Sequence, residues 1–261
     1  MTENNSSPLE LAVLAGRILL SNGAEIFRVQ ETMERIAASY HMESFHVYAI
    51  SNGIFACGIE NGVAHTAEIR HVPLSSVHLG RVAAVNQISR EIAQGQHTVP
   101  EAFARLREIE KLPYTPGWLQ ILASGIGSAC FCYLFGGSLA DSITAFFPGL
   151  AVYLFVVLTS GKNLSKIMSN ILASGLAAFC GLLLFQLGFG DSMNHIIIGS
   201  IVPLLPGVPL TTSIRDFFNG DYISGAIRLI DALLIAACIA LGVACVLKLA
   251  SLAGIAVGVP L

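Results

Sequence analysis

Charged side chains are scarce after residue 112 of this 261-residue chain, so each one there is a candidate for chemistry. Residues 113–261 hold five Lys and Arg and five Asp and Glu, against nine and twelve in residues 1–112. Asp231 follows Arg228 by three positions, a spacing that lets the two pair on one helix face. A carboxylate close to a membrane helix is costly, and by default it is a functional candidate able to carry a coupled proton. An ordinary interfacial anchor is the equal alternative. Arg215 and Asp216 are adjacent; Arg215 could attract a carboxylate substrate or serve as a cytoplasmic positive charge. Thr211, Thr212 and Ser213 offer hydroxyls to a substrate or to local backbone. Asp141 and Asp191 read as solvated loop residues. Near the N-terminus, Glu25–Arg28 and Glu31–Arg35 have helical pair spacing, with Glu34 beside them. Their charged face is expected to meet another domain or subunit.

Those charges follow an unusual stretch, "PLLPGVPLTTSIRD", Pro203 to Asp216. Proline removes a backbone donor and clashes with the preceding turn, so Pro206-Gly207-Val208-Pro209 predicts a broken helix inside an apolar segment. Lipid cannot satisfy the freed backbone groups. A break is tolerated only where protein buries it or it lines a wet cavity, as at the substrate sites of many secondary transporters. A plain packing kink is the other reading. "AFFPGLAVY" carries a second Pro-Gly step, Pro148-Gly149, which predicts a second break and favours a transporter core.

Other chemistries find little support. Seven histidines show no HExxH, the serines no GxSxG, and neither a Walker A motif nor GxGxxG occurs. No catalytic residues, metal site or cofactor are therefore expected, and the chain reads as a non-enzyme. His46, His65 and His71 could gather on a small sheet, which keeps a membrane-tethered hydrolase as an alternative. The six cysteines read as small core residues. A net charge of −3 gives no reason for a nucleic-acid partner.

The elements that must position these residues follow from hydropathy. The chain is 54% hydrophobic and 12% charged, with mean hydropathy +0.71, values that point to membrane helices. The fold class is thus an α-helical integral membrane protein of about five transmembrane helices behind an N-terminal cytoplasmic α+β domain. The domain is placed at residues 1–112 and the transmembrane domain at 113–261. Spans are expected near 118–136, 142–160, 167–188, 194–213 and 228–249. Helical periodicity covers Pro8 to about Tyr40, interrupted by "SNGAE". Three short strands follow, around Asn52-Gly53 and Asn61-Gly62, then helices over Ser75–Gly95 and from Thr98. The opening "MTENNSSPLE" has no basic n-region and does not read as a signal peptide. With the N-terminus inside, Lys111, Lys162, Lys166, Arg215 and Arg228 all fall on the cytoplasmic side, and Lys248 is the exception.

Several of these blocks are familiar. "LLSNGAEIFRVQETMERI", "AISNG", "YTPGWLQILASGIGSACFCYLFGG" and above all "PLLPGVPLTTSIRDFFNGDYISGAIR" resemble, in order and over almost the whole chain, the threonine/serine exporter (ThrE) superfamily, and within it the YjjP-like subunits. The resemblance implies a secondary-active exporter in the cytoplasmic (inner) membrane. Its substrates would be threonine and serine or succinate-like dicarboxylates, with proton coupling. Full-length exporters carry a further membrane half. The resemblance implies that a small YjjB-like membrane subunit supplies it here; membrane lipid is the other partner and a higher oligomer stays open. The matching positions are Gly23, Ala24, Glu25, Ser51, Asn52, Pro206, Gly207, Pro209, Asp216, Gly220 and Arg228. The expected substrate path is Pro206, Gly207, Pro209, Thr211, Thr212, Pro148 and Gly149. Glu25, Asp216, Arg215, Arg228 and Asp231 are expected to gate or couple. A membrane-anchored ligand-sensing protein is the main alternative. Amino acid and dicarboxylate are not distinguished by any residue.

Overall fold

The computed structural model describes residues 7–60, 62–70, 72, 77–160 and 164–255, with backbone only for 68–70. Asn61, His71, Ser75, Ser76 and Lys162, which entered the sequence reading, lie outside the described residues. The chain divides into two units: residues 1–114 with 210–229, and residues 115–209 with 230–261.

In the first unit, Ser7 caps helix α1 (Pro8–Ser21), its Oγ accepting the Glu10 N–H at 3.2 Å, with Pro8 in the first turn. Gly23 ends the turn that follows, at φ 85°; a Cβ there would be strained and only 2.9 Å from Val77. Helix α2 (Ile26–Ser39) buries Ile26, Val29, Met33 and Ile36 at three- and four-residue spacing. It lies close on α1, because a Cβ at Gly16 would meet the Met33 sulfur at 2.3 Å. Strands β1 (Glu43–Ile50), β2 (Gly53–Glu60) and β3 (Val63–Arg70) form an antiparallel meander. Alternation puts Ala49, Ile54 and Ala56 in the core and leaves Tyr48, Phe55 and Cys57 outside. Helix α3 (Leu79–Ala93) starts where His78 Nδ1 accepts the Arg81 N–H at 3.2 Å, four residues after the expected start at Ser75. Helix α4 (Val99–Glu110) starts where the Glu101 carboxylate accepts the Thr98 N–H at 2.8 Å. Leu11, Leu19, Met33, Ile54 and Leu106 are fully buried in this core, each contributing about 1.5–3 kcal/mol.

The second unit is built from α5 (Gly117–Leu134), α6 (Leu139–Thr159), α7 (Lys166–Gln186), α8 (Met193–Ile201) and a 3-10 turn (Val202–Leu204). Helices α9 (Gly207–Phe218) and α10 (Tyr222–Leu252) belong partly to each unit. Among the described residues four helices are long and apolar enough to cross a membrane, or five if the broken pair α8–α9 counts as one span. Helix α10 has 31 residues, longer than the expected 228–249. At 1.5 Å per residue it is about 46 Å long, well beyond a hydrocarbon layer of about 30 Å.

The two expected breaks turn out differently. Leu205 is extended (φ −64°, ψ 136°), as the ring of Pro206 requires of the residue before it, and the helix breaks there. Pro148-Gly149 does not break α6, which runs unbroken from Leu139 to Thr159. One proline deletes one helical bond, and the helix closes over it because α5 lies against this face. Ser124 Oγ donates to the Gly149 carbonyl at 2.9 Å, and a Cβ on Gly149 would sit 2.2 Å from Ser128 Oγ. Gly149 is therefore a close-packing glycine with no room beside it.

Asp141 also departs from expectation. It is 1% exposed, and its carboxylate accepts the N–H groups of Asp191 (2.6 Å), Ser192 (2.8 Å) and Ser138 (3.0 Å). Asp191 is exposed as read. Of the cysteines only Cys132 and Cys238 are buried; Cys130 and Cys245 are exposed although they lie in apolar helices.

Candidate functional site

The first unit joins the two most distinctive sequence blocks. The α1–α2 turn brings Asn22 to Glu25 to the end of α9 and the start of α10. A tight α9–α10 corner makes this geometry. Gly220 turns at φ 87°, the Asp221 N–H donates to the Asp216 carbonyl at 2.9 Å, and a Cβ on Gly225 would meet the Ser213 carbonyl at 3.0 Å.

At the centre is a buried ion pair. Arg228 Nη1 is 3.1 Å from Asp216 Oδ2, and Arg228 Nη2 donates to the Ala24 carbonyl at 3.1 Å. Asp216 is 0% exposed and Arg228 5%. The approach is close, but neither carboxylate oxygen of Asp216 has an aligned hydrogen bond among the described residues. The carboxylate faces the first amide of α2, Ile26, at the positive end of that helix. Beside it, Asp221 is half-buried, and burial raises its carboxyl above the usual range although Arg228 pulls the other way.

A second, shallower pair shares the same turn. Glu25 accepts from Arg28 Nε at 2.8 Å through one oxygen and from Arg215 Nη1 through the other. The Glu25 side chain is 12% exposed, while Arg28 and Arg215 are 51% and 57% exposed. Asn22 backs the turn from inside, its Nδ2 donating to the Ile18 carbonyl at 2.7 Å. Arg81 donates to the Leu112 carbonyl at 2.6 Å and stacks on Tyr114, 4.8 Å from the ring centroid.

The structure thus unites Glu25, Arg215, Asp216 and Arg228. It does not pair Arg228 with Asp231: Asp216 holds the guanidinium, and Asp231 in the second unit accepts from Lys166 Nζ at 2.7 Å. The break lies at Leu205-Pro206, while Gly207 and Pro209 fall in the first turn of α9; Thr211 is exposed and Thr212 half-buried. Ser213 Oγ donates back to the Leu210 carbonyl at 2.7 Å, one turn earlier in α9. Ser51 is buried and Asn52 exposed in the β1–β2 turn, where the Asn52 carbonyl accepts the Val72 N–H at 2.8 Å. His46 lies opposite Cys57 and His65 opposite Gly58, neighbours on β2. Their side chains therefore leave the sheet on opposite faces and form no cluster. Among the described residues no three His, Cys, Asp or Glu could share a metal ion. The second unit also holds a mostly apolar cavity of about 490 Å³ between Ile201, Leu205, Ala240, Val243 and Lys248.

Asn22, Arg81 and Asp221 were missed by sequence reasoning. For Asp221 a signal was present: Asn219-Gly220-Asp221 is a turn triplet, and a tight turn brings its acid back to the preceding helix. Arg81 lies 59 residues from Asn22, and nothing local announces the contact.

Comparison with known proteins was made against this geometry. The family described as "Putative threonine/serine exporter" matches residues 10–250. A protein of Escherichia coli (strain K12) named "Probable succinate transporter subunit YjjP" is 27% identical over 258 residues, covering 97% of this chain and 98% of that one. A Klebsiella aerogenes protein of the same name is 26% identical over 249 residues, 94% of each. A "Probable threonine/serine exporter" of Mycobacterium tuberculosis is 23% identical over 254 residues, covering 95% of this chain but 47% of its own length, so the chain spans about half of that protein. No solved structure matches.

Proposed function

Because the chain belongs to the threonine/serine exporter family, we propose that it is the YjjP-like subunit of a secondary-active exporter of small carboxylate-bearing metabolites. It is a multi-pass membrane protein. It works with a small YjjB-like membrane subunit in the cytoplasmic membrane, its N-terminus and residues 1–112 facing the cytoplasm.

The observation that carries this reading is the buried Asp216–Arg228 pair at the turn where "SNGAE" meets "SIRDFFNGD". Removing two charges from water costs several kcal/mol per ion, and their attraction seldom does more than offset it. A pair this deep is poor stabilising design and good switching design. In this reading the coupled proton exchanges at this pair. The similar succinate transporter subunits favour a dicarboxylate; the similar threonine/serine exporter favours an amino acid. With five spans Lys111, Lys166, Arg215 and Arg228 would fall on the same side, the arrangement expected of a cytoplasmic face.

The test is counterflow of labelled succinate, serine and threonine in liposomes holding the chain with and without its small partner, under an imposed pH gradient. Transport of one class only with the partner present, abolished by Asp216→Asn at unchanged protein level, is expected. Normal transport by Asp216→Asn removes Asp216 from the mechanism, and no transport by the complete complex removes the exporter reading.

A further inference from the structure

Glu25 occupies a place suited to a ligand. Its carboxylate lies between two guanidiniums, one oxygen to each, as a bound carboxylate would. Among the described residues Arg28 and Arg215 have no other carboxylate partner, and each is half exposed. The contrast with the neighbouring pair decides which contact can exchange. Arg228 and Asp216 are buried together, so an incoming anion would have to displace an acid that water cannot then reach. Arg215 faces solvent, where an ion pair holds weakly and an anion in solution competes directly.

The two arginines also differ in their tie to Glu25. Arg28 sits three residues along the same helix, so this pair survives movement of α9. Arg215 reaches Glu25 across 190 residues of sequence. A carboxylate arriving at Arg215 would break one ion pair, form one, and leave Glu25 neutralised by Arg28. No charge is stranded at any step. The guanidinium fork suits a planar carboxylate held through two parallel N–H groups.

We propose that Arg215 is the binding residue for the carboxylate of the exported metabolite, and that Glu25 fills that place in the empty protein as an internal mimic, retreating to Arg28 when substrate arrives. This rests on the exporter reading for the identity of the carboxylate. The exchange itself involves Glu25, Arg28 and Arg215; Asp216, Asp221, Arg228 and Arg81 are the other charged groups around the turn among the described residues.

The experiment is succinate binding to the purified full-length chain, alone and with its membrane partner, read as the rise in melting temperature against succinate concentration. Dimethyl succinate is the uncharged control. Glu25→Gln is expected to lower the half-saturating succinate concentration by up to about fivefold, the factor a weak exposed ion pair represents. Arg215→Gln is expected to raise it about tenfold or more, Arg215→Lys to raise it less, and Glu25→Gln/Arg215→Gln to behave as Arg215→Gln alone. Glu25 makes no side-chain capping bond to α2, so its replacement leaves the helix start intact. Serine and threonine are titrated in parallel; binding unchanged or weakened in Glu25→Gln, binding indifferent to Arg215, or no shift with succinate, serine or threonine in either preparation would each overturn the proposal. Counterflow on the same preparations separates the two ideas. Transport with unaltered Glu25→Gln binding removes the mimic alone; tighter Glu25→Gln binding without transport removes the exporter and keeps the mimic.

Discussion

Arg228→Met is the most informative single change. It keeps the apolar stem but removes the charge facing Asp216, which is 0% exposed and, apart from Arg228, faces the Ile26 amide. Breaking a buried pair on one side costs about 3–5 kcal/mol, because the remaining charge is neither solvated nor paired. The bond to the Ala24 carbonyl goes with it, at about 1.5–3 kcal/mol for a charged donor, part of which the first figure already contains. A loss of about 4 kcal/mol is therefore expected, close to a thousandfold in the local opening equilibrium. The chain has two units, so global unfolding is not a clean readout. Amide exchange at the second turns of α2 and α10, where the N–H groups are hydrogen-bonded, measures the local value in the full-length protein in detergent. Asp216→Leu with Arg228→Met replaces both charges by apolar groups and should regain most of the loss, since such replacements are often neutral. That double variant should still fail to transport. Exchange in Arg228→Met within about 0.5 kcal/mol of the parent would show that the pair is not desolvated, and the argument for a switching role would collapse.

Other outcomes follow from the same geometry. Asp141→Ala strands three amides that now donate to one carboxylate, and should cost about 3 kcal/mol or more in the local opening energy read by exchange of the Ser138, Asp191 and Ser192 amides. Gly149→Ala should cost about 1–3 kcal/mol and be partly rescued by Ser128→Gly, because the worst clash is with that side chain and the Ser124 carbonyl at 3.1 Å remains. Gly242→Ala should resist rescue by Ser174→Ala, since its Cβ would also meet the Ile171 backbone carbonyl at 2.3 Å. Asp221 has its carboxyl raised by burial, so its contribution to stability is full below the unfolded value of about 3.9 and is lost as pH rises through the raised folded value. Asp221→Asn should therefore gain on the parent as pH climbs from about 3 to 7, and equal gains at both ends of a melting series would refute this.

Much of the fold was legible because it rests on local signals. Asn52-Gly53 marks a hairpin, Ser7-Pro8 a helix start, and Pro206 an extended residue before it. The second Pro-Gly step misled, because whether a proline breaks a membrane helix depends on what packs beside it, here Ser124 and Ser128 on α5. In the site, Arg215, Asp216 and Arg228 stood out as charges in or beside apolar sequence, and Glu25 through its pair spacing and the family resemblance. Their partners did not. Spacing offered Asp231 to Arg228 at three residues, but the carboxylate that pairs with Arg228 is Asp216, twelve residues back across a tight corner. Asp141 was equally opaque: a capping acid and a solvated loop acid look alike until the chain fifty residues later returns its amides.

The discontinuity of the first unit bears on the order of events at the ribosome. Residues 1–114 emerge first, but the stretch that covers the start of α2 lies at 210–229, behind all of residues 115–209. At about 5–20 residues per second, that delay is on the order of ten seconds. Through this interval the Ala24 carbonyl and the first amides of α2 wait without Arg228 and Asp216, while α5 to α8 are being delivered to the membrane. Completion of the N-terminal unit is therefore a late step in biogenesis, conditional on four earlier helices having been made. A chain interrupted anywhere before residue 210 would leave that unit unfinished and its helix end open to quality control.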